Sequence, residues 1–400
     1  MSCTPPSCRS GSTLSSARST WRARWCRVEI SRTVTVTSRR RLILAGAALT
    51  CGSGCSAPRT GAPLLETTVP AAVAVEWDTA PPERQGIDAV ALAGALRDGA
   101  QLSALRALVV VRNGTLVGER YYNGASAEDL LPVNSVTKSV CAMLVGQALQ
   151  RGLLPGLDAT VGQLLPEAAA QVPGSVVAGV TLRQILTGRS GLASDWDRQS
   201  AALANAPDPL PLVMALPADP AAAGVWRYNN AAVGLLSAIL ARAHGRDLAE
   251  VAARDLFGPL GITRYAWSRD RAGRPTAHAG LRLRTRDLAR IAWTMADGGR
   301  WHGVQVVPSA WVADSMRPAG PAAWRVAPVS EVGYGYLWFT GLLRGRRVAW
   351  GWGYGAQYAV VVPELGLVVA TAATAPRMEE LPAQNNAVMA LVARVVNATS

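Results

Sequence analysis

The sequence predicts an α+β fold: an antiparallel sheet built from both ends of the chain body, flanked by helices and carrying an inserted, mainly helical region. Three observations predict it. Strand-like runs gather around residues 106–122 and again from Val332 onward, and the stretch between them reads mostly at helical spacing. No internal repeat suggests a solenoid or propeller. The 400 residues are 50% hydrophobic and 17% charged, enough for a large core and unlike a disordered chain.

Residues 1–56 read as a leader. SRRRLILAGAALTCGSGCSAP joins Arg39–Arg41 to a short apolar run, Leu42 to Leu49, and then to small residues and cysteine. That run is too short to span a bilayer and suits a signal-peptide core, so the protein is expected to be exported to a periplasmic or extracytoplasmic location. The paired arginines resemble a twin-arginine signal. Cys51 or Cys55 would serve as a lipid-attachment cysteine for a membrane tether, although neither follows a good lipobox. Residues 1–35 precede a workable signal and read as an upstream mis-start.

The leader also explains the charge. Residues 1–60 hold ten Arg and one acid, Glu29, a local +9 of the total +13, which leaves +4 for the rest. A body with so little excess charge is a poor nucleic-acid binder. Five of the six cysteines lie in the leader, so Cys141 has no partner in the body and reads as a small buried residue.

A Pro- and Ala-rich linker is expected over residues 57–76, followed by one domain over 77–400. Its sheet part covers about 77–130 and 305–400, and its helical part about 131–304. RALVVVRNGTLVGERYY, 106–122, sets two apolar runs around Asn113-Gly114, a strong hairpin signal. SVTKSVCAMLVGQALQRG is apolar at helical spacing and ends at Gly152, a natural C-cap. VTLRQILTG, NAAVGLLSAILARAHG and TRDLARIAWTMADGG read as helices and loops. YGYLWF, RRVAWGWGYGAQYAVVV and LVVATAA read as strands, and AQNNAVMALVARVVN as a closing helix.

Chemistry is suggested first by composition. Lys138 is the only lysine, and the other 39 basic residues are arginine. Arg stays protonated, whereas a desolvated Lys can lose its proton and act as a base, so a lone retained lysine points to a task Arg cannot perform. An accidental surface charge is the plainer alternative. Ser135 lies three residues earlier, which on a helix puts both side chains on one face. A neutral amine there can take the hydroxyl proton and make the serine a nucleophile. The competing reading is that Ser135 or Asn134 is merely an N-cap.

Two further stretches strengthen the catalytic reading. WRYNNAAVGLLSAIL places Tyr228 and Asn230 just before an apolar helix. A tyrosine hydroxyl beside an ammonium would have a lowered pKa and could shuttle a proton. WGWGYGAQYAVVV is interrupted at Gly351, Gly353 and Gly355, where missing side chains would let a substrate backbone approach and leave an N–H free for an oxyanion.

Together, S-x-x-K, Y-x-N and the glycine-punctuated strand resemble the serine β-lactamase and penicillin-binding superfamily. The likeness runs from about Trp77 to the end and extends to GLLPGLDATVGQLLPE, VTLRQILTGRSGL and DLFGPLGI. Within it the chain is similar to the class C-related branch, with its esterases, amidases and aminohexanoate-oligomer hydrolases. The resemblance implies the β-lactamase/transpeptidase-like fold and a small ester or amide as substrate, with no cofactor. It implies Ser135 as acylated nucleophile, Lys138 as base, Tyr228 as proton shuttle and Asn230 as a hydrogen-bonding partner. Backbone N–H groups of Ser135 and about Tyr354, beside Gly353, would form the oxyanion hole.

One departure matters. Where the superfamily carries Lys or His before x-Gly, this chain has Gly351-Trp352-Gly353 with no cation. That disfavours β-lactamase or D-Ala-D-Ala carboxypeptidase chemistry and favours an aromatic-walled acyl pocket, with Trp352, Tyr354 and Trp226 as candidates. A Ser-His-Asp hydrolase lacks its G-x-S-x-G elbow, and His244, His278 and His302 are scattered, without an H-E-x-x-H metal motif. A strand, not a helix, follows the GxGxG of 351–355, so it is no dinucleotide loop. A non-catalytic wall-binding or sensor protein of this fold remains the alternative from another class. The sequence leaves the oligomeric state open.

Overall fold

The strands of the computed structural model, which describes residues 66–68, 76–193 and 195–400, are numbered here in chain order. They begin with β1 (Glu66–Thr68), β2 (Leu105–Arg112), β3 (Thr115–Tyr121), β4 (Leu131–Pro132), β5 (Arg264–Trp267) and β6 (Leu281–Leu283). Two short strands, β7 (Arg300–Trp301) and β8 (Val304–Gln305), form a small hairpin. The rest are β9 (Gly320–Pro321), β10 (Ser330–Tyr334), β11 (Phe339–Leu343), β12 (Arg346–Gly353), β13 (Gln357–Val362) and β14 (Leu367–Ala373). The leader, with Cys51, Cys55 and the residue 1–35 start, lies outside the described residues, as does most of the 57–76 stretch.

The main sheet is antiparallel throughout, in the order β3-β2-β14-β13-β12-β11-β10-β9. Strands from the two ends of the body therefore meet one strand in from the β3 edge, where β14 pairs with β2. The β2–β3 turn places Asn113 at φ 49° and Gly114 at φ 77°, the left-handed pair that the Asn-Gly dipeptide favours. β13 and β14 are buried along their whole length, and both read as near-continuous Val/Ala runs because both faces are covered. Each such Val contributes roughly 1.5–3 kcal/mol by leaving water. The terminal helices Ala89–Asp98 and Leu381–Asn397 pack together, and Thr285–Ala296 lies on β2, β13 and β14.

A second sheet runs β1-β5-β6-β4. Its first strand, Glu66–Thr68, falls in the stretch read from sequence as linker and pairs with β5 in register Thr67↔Tyr265.

The insertion's central element is the helix Val136–Gln150, in which every residue from Val136 to Ala148 is buried. A helix apolar on all sides belongs inside a protein. It packs on β12, β13 and the helix Asn230–His244. Gly146 admits the Trp311 ring, whose Nε1 donates to the Ala142 carbonyl at 2.9 Å, and the helix ends before Gly152 at φ 68°.

One predicted strand is corrected. YGYLWF alternates like a strand, yet its middle, Gly335–Trp338, is the turn joining β10 to β11. A Cβ on Gly335 would lie 2.1 Å from the Ser315 carbonyl oxygen, and Leu337 sits at φ 58°. Close packing and a left-handed residue, neither visible in hydropathy, make the turn.

Candidate active site

Ser135 occupies the cap position of the Val136–Gln150 helix, with φ −70° and ψ −6°, but its hydroxyl makes no capping hydrogen bond. The capping alternative is thereby excluded. Other polar side chains of the first turns serve the fold: Thr137 Oγ1 donates to the Asn134 carbonyl at 2.6 Å and Ser139 Oγ to the Leu337 carbonyl at 2.7 Å. The Ser135 hydroxyl instead meets Lys138 Nζ at 3.0 Å and hydrogen-bonds to the Tyr228 hydroxyl. The three side chains named from sequence are in mutual contact.

Lys138 is 2% exposed, so the accidental-surface-charge reading fails. Its Nζ donates to the His278 carbonyl at 2.5 Å and sits 4.7 Å from the centre of the Tyr228 ring. Burial holds the amine well below the ordinary lysine range, opposed only by the nearby Cys141 sulfur. Cys141 is itself buried, its Sγ–H pointing to the Ala277 carbonyl at 3.5 Å, and burial pushes its thiol up to about 12. It is an inert neighbour, as the sequence suggested.

The electrostatic expectation for Tyr228 is reversed. Burial raises its hydroxyl above the ordinary tyrosine value, and the bond from Ser135 only partly opposes this. Burial also lowers the pKa of the lysine beside the ring, so the ammonium assumed from sequence is disfavoured there. Tyr228 is therefore a protonated donor at neutral pH. His278, read as a loop residue, supplies its backbone carbonyl to Lys138, while burial and that same lysine push its imidazole down to about 3.

Asn229, not Asn230, caps the Asn230–His244 helix, its Oδ1 accepting from the Ala232 N–H at 3.0 Å. Asn230 is the helix's first residue, and its Oδ1 is buried with no hydrogen-bond partner among the described residues.

The glycines of β12 are reinterpreted. A Cβ on Gly351 would come 2.7 Å from Val136 Cγ1, and one on Gly353 would come 2.3 Å from the Val133 carbonyl oxygen. What these glycines admit is the protein itself, the Val136 side chain at Gly351 and the Val133 backbone at Gly353, where the Val136–Gln150 helix starts. Asn134, at φ 48°, completes the junction by donating from Nδ2 to the Tyr354 carbonyl at 2.7 Å. Ser135 and the end of β12 are thereby fastened side by side.

On the opposite side of β12, as strand alternation requires, Trp350 and Trp352 join an aromatic cluster. Phe339 lies 5.0 Å from Trp352 and 5.6 Å from Trp350, and Trp226 lies 5.5 Å from Tyr334. Of the wall residues anticipated, Trp352 and Trp226 belong to this cluster. Tyr354 is anchored elsewhere, its hydroxyl donating to the Pro376 carbonyl at 2.7 Å. Behind Tyr228 lies a cavity of about 10 Å³, lined in part by Lys138, Ser190, Trp226, Tyr228, Asn229 and Tyr334, with room for about one water. Among the described residues, no His/Cys/Asp/Glu cluster is arranged to hold a metal ion.

Sequence reasoning missed the His278 carbonyl, Asn134's bridge to Tyr354 and the aromatic residues Tyr334, Phe339 and Trp324. Asn134 alone carried a usable signal, because Asn tolerates the left-handed conformation better than most residues do.

With this geometry in view, comparison with known proteins is informative. Residues 93–394 match the Beta-lactamase family. A 6-aminohexanoate-dimer hydrolase of Paenarthrobacter ureafaciens is 27% identical over 307 residues, covering 70% of this chain and 77% of that one. Among solved structures, a proposed 6-aminohexanoate-dimer hydrolase from Bacillus anthracis superposes with TM-score 0.66 at 17% identity, over 84% of this chain and 92% of that one. The D-amino acid amidase of Ochrobactrum anthropi SV3 gives TM-score 0.60 at 16% identity, over 77% of this chain and 97% of that one. By its sequence over three quarters of its length, with a fold to match, this chain belongs to the Beta-lactamase family.

Proposed function

We propose that this chain is an exported serine hydrolase that cleaves a small carboxylic amide or ester through an acyl-enzyme on Ser135. The observation that carries the reading is the 3.0 Å contact between Ser135 Oγ and a buried lysine amine that, among the described residues, pairs with no carboxylate. In the first step Lys138 Nζ takes the Ser135 proton while Oγ attacks the substrate carbonyl carbon. The Ser135 and Tyr354 backbone N–H groups hold the developing oxyanion, a role supported by the bond from Asn134 Nδ2 that ties the two segments. Tyr228 gives its proton to the departing amine or alkoxide and is reprotonated from Lys138. Water then enters by the reverse relay and frees the acid product. Asn230, with its unpartnered Oδ1, would accept a hydrogen bond from the substrate or from charged Lys138.

The relative from Paenarthrobacter ureafaciens, a 6-aminohexanoate-dimer hydrolase, favours an amide as the natural bond. The missing cation at 351–353 weighs against β-lactams. Fluorophosphonate should label Ser135, and short aminoacyl amides or p-nitrophenyl esters should turn over while nitrocefin does not. Labelling without turnover of any amide or ester would sink the reading in favour of a binder. A stable penicillin adduct would favour a penicillin-binding protein. Export and a lipid tether at Cys51 or Cys55 belong to the same proposal, and N-terminal sequencing with mass analysis of the exported protein tests them.

A further inference from the structure

The largest side chain at the rim of the site is one that no motif contains. Trp324 lies on the segment between β9 and β10 and is 40% exposed. Its indole stacks on the Tyr228 ring, with centroids 4.4 Å apart and planes 29° from parallel. It meets Trp352 edge-on at 5.6 Å and Trp226 edge-on at 5.9 Å. A tryptophan placed only for packing would be more fully covered, because the exposed part of so large an apolar side chain forgoes burial free energy.

The segment that presents it is braced. Ala322 and Val326 are buried on either side, and the Ala327 N–H donates to Asn386 Oδ1 at 2.8 Å. The Arg325 guanidinium donates back to the Trp324 carbonyl at 2.8 Å. A fixed, partly exposed aromatic face beside the proton donor of a hydrolase is suited to holding one end of a substrate in register.

Resting on the hydrolase reading above, we propose that Trp324 is a specificity-determining residue. Its indole, continuous with Trp352 and Trp226, is the surface on which a flat or medium-chain apolar acyl group packs while its carbonyl lies at Ser135. The substrate class is then an ester or amide of a neutral, extended or aromatic acid. An acetyl group offers little apolar surface for that contact.

The test compares kcat/KM for p-nitrophenyl octanoate and p-nitrophenyl acetate in the full-length protein, with fluorophosphonate labelling of Ser135 as the check on an intact site. The octanoate-to-acetate ratio should fall about tenfold or more in Trp324→Ala and stay within about threefold of wild type in Trp324→Phe, as expected for losing and keeping an apolar contact surface. Should the Ala variant lose labelling, Trp324→Gln, which keeps bulk but not the aromatic face, should lower the same ratio. Equal losses on both esters, or no rescue by Phe, would overturn the specificity role and leave the hydrolase reading standing. If wild type turns over neither ester, nor any amide, both readings fail together.

Discussion

The two ends of the Val136–Gln150 helix each bury an ionisable group, and they treat it in opposite ways. At the C-terminal end Asp255, with a side chain 5% exposed, is gripped by Arg151 at 2.8 Å and Arg254 at 2.6 Å, with His244 Nδ1 at 3.7 Å. Burial alone would raise this carboxyl, but the two guanidinium groups hold it below the ordinary carboxylate value. At the N-terminal end Lys138 is buried with no carboxylate partner among the described residues, and burial pushes its pKa well below the ordinary lysine value. A compensated buried charge fastens elements together. An uncompensated one is a cost that structure alone does not require, which marks it as a functional candidate.

The largest expected effect sharpens that contrast. Lys138→Arg replaces a group that can lose its proton with one that stays charged, so kcat/KM at neutral pH should fall by about 10³-fold or more, toward the upper range for loss of a general base. Steady-state kinetics on any substrate of the wild-type enzyme will show it. Asp255→Ala should instead leave turnover per labelled Ser135 near wild type. It should cost about 1–3 kcal/mol of unfolding free energy, as expected for losing charge-assisted hydrogen bonds whose guanidinium partners are half-exposed. Denaturant titration measures that loss, and a purely catalytic defect would break the comparison. Tyr228→Phe removes the donor but not the ring, and a loss of about 10²-fold in kcat is expected.

The smallest effect has the opposite sign. Because burial lowers the Lys138 pKa in the folded state, the unfolded chain binds the extra proton between that lowered value and 10.5, so this lysine's contribution to stability rises with pH up to 10.5. Lys138→Met should therefore stabilise the protein by about 1 kcal/mol or more at neutral pH, with a margin that shrinks toward pH 10.5. Chemical denaturation at three pH values decides it. A destabilised Met variant would mean that the lysine earns its place structurally.

Much of this was legible beforehand because it is local. A three-residue spacing on a helix brings Ser135 to Lys138, and Asn113-Gly114 writes its own turn. What escaped depends on distant backbone. The carbonyl that receives Lys138 belongs to His278, 140 residues on, and carbonyls leave no trace in a sequence. Tyr228's protonation was misjudged because burial depth cannot be read from Y-N-N. Gly351 and Gly353 were recognised as sites of close approach, but whether helix or substrate approaches is a tertiary fact. Trp324 lies in a loop with no period to flag it.

The lone lysine offers a direct reading of the central claim. Protein grown with ¹³C-labelled lysine should give one side-chain resonance set, that of Lys138, whose Cε shift reports the amine's charge. The account predicts a neutral amine at pH 7, protonating only on acidification as activity is lost. A Cε signal that stays that of an ammonium until pH nears 10.5 would contradict it.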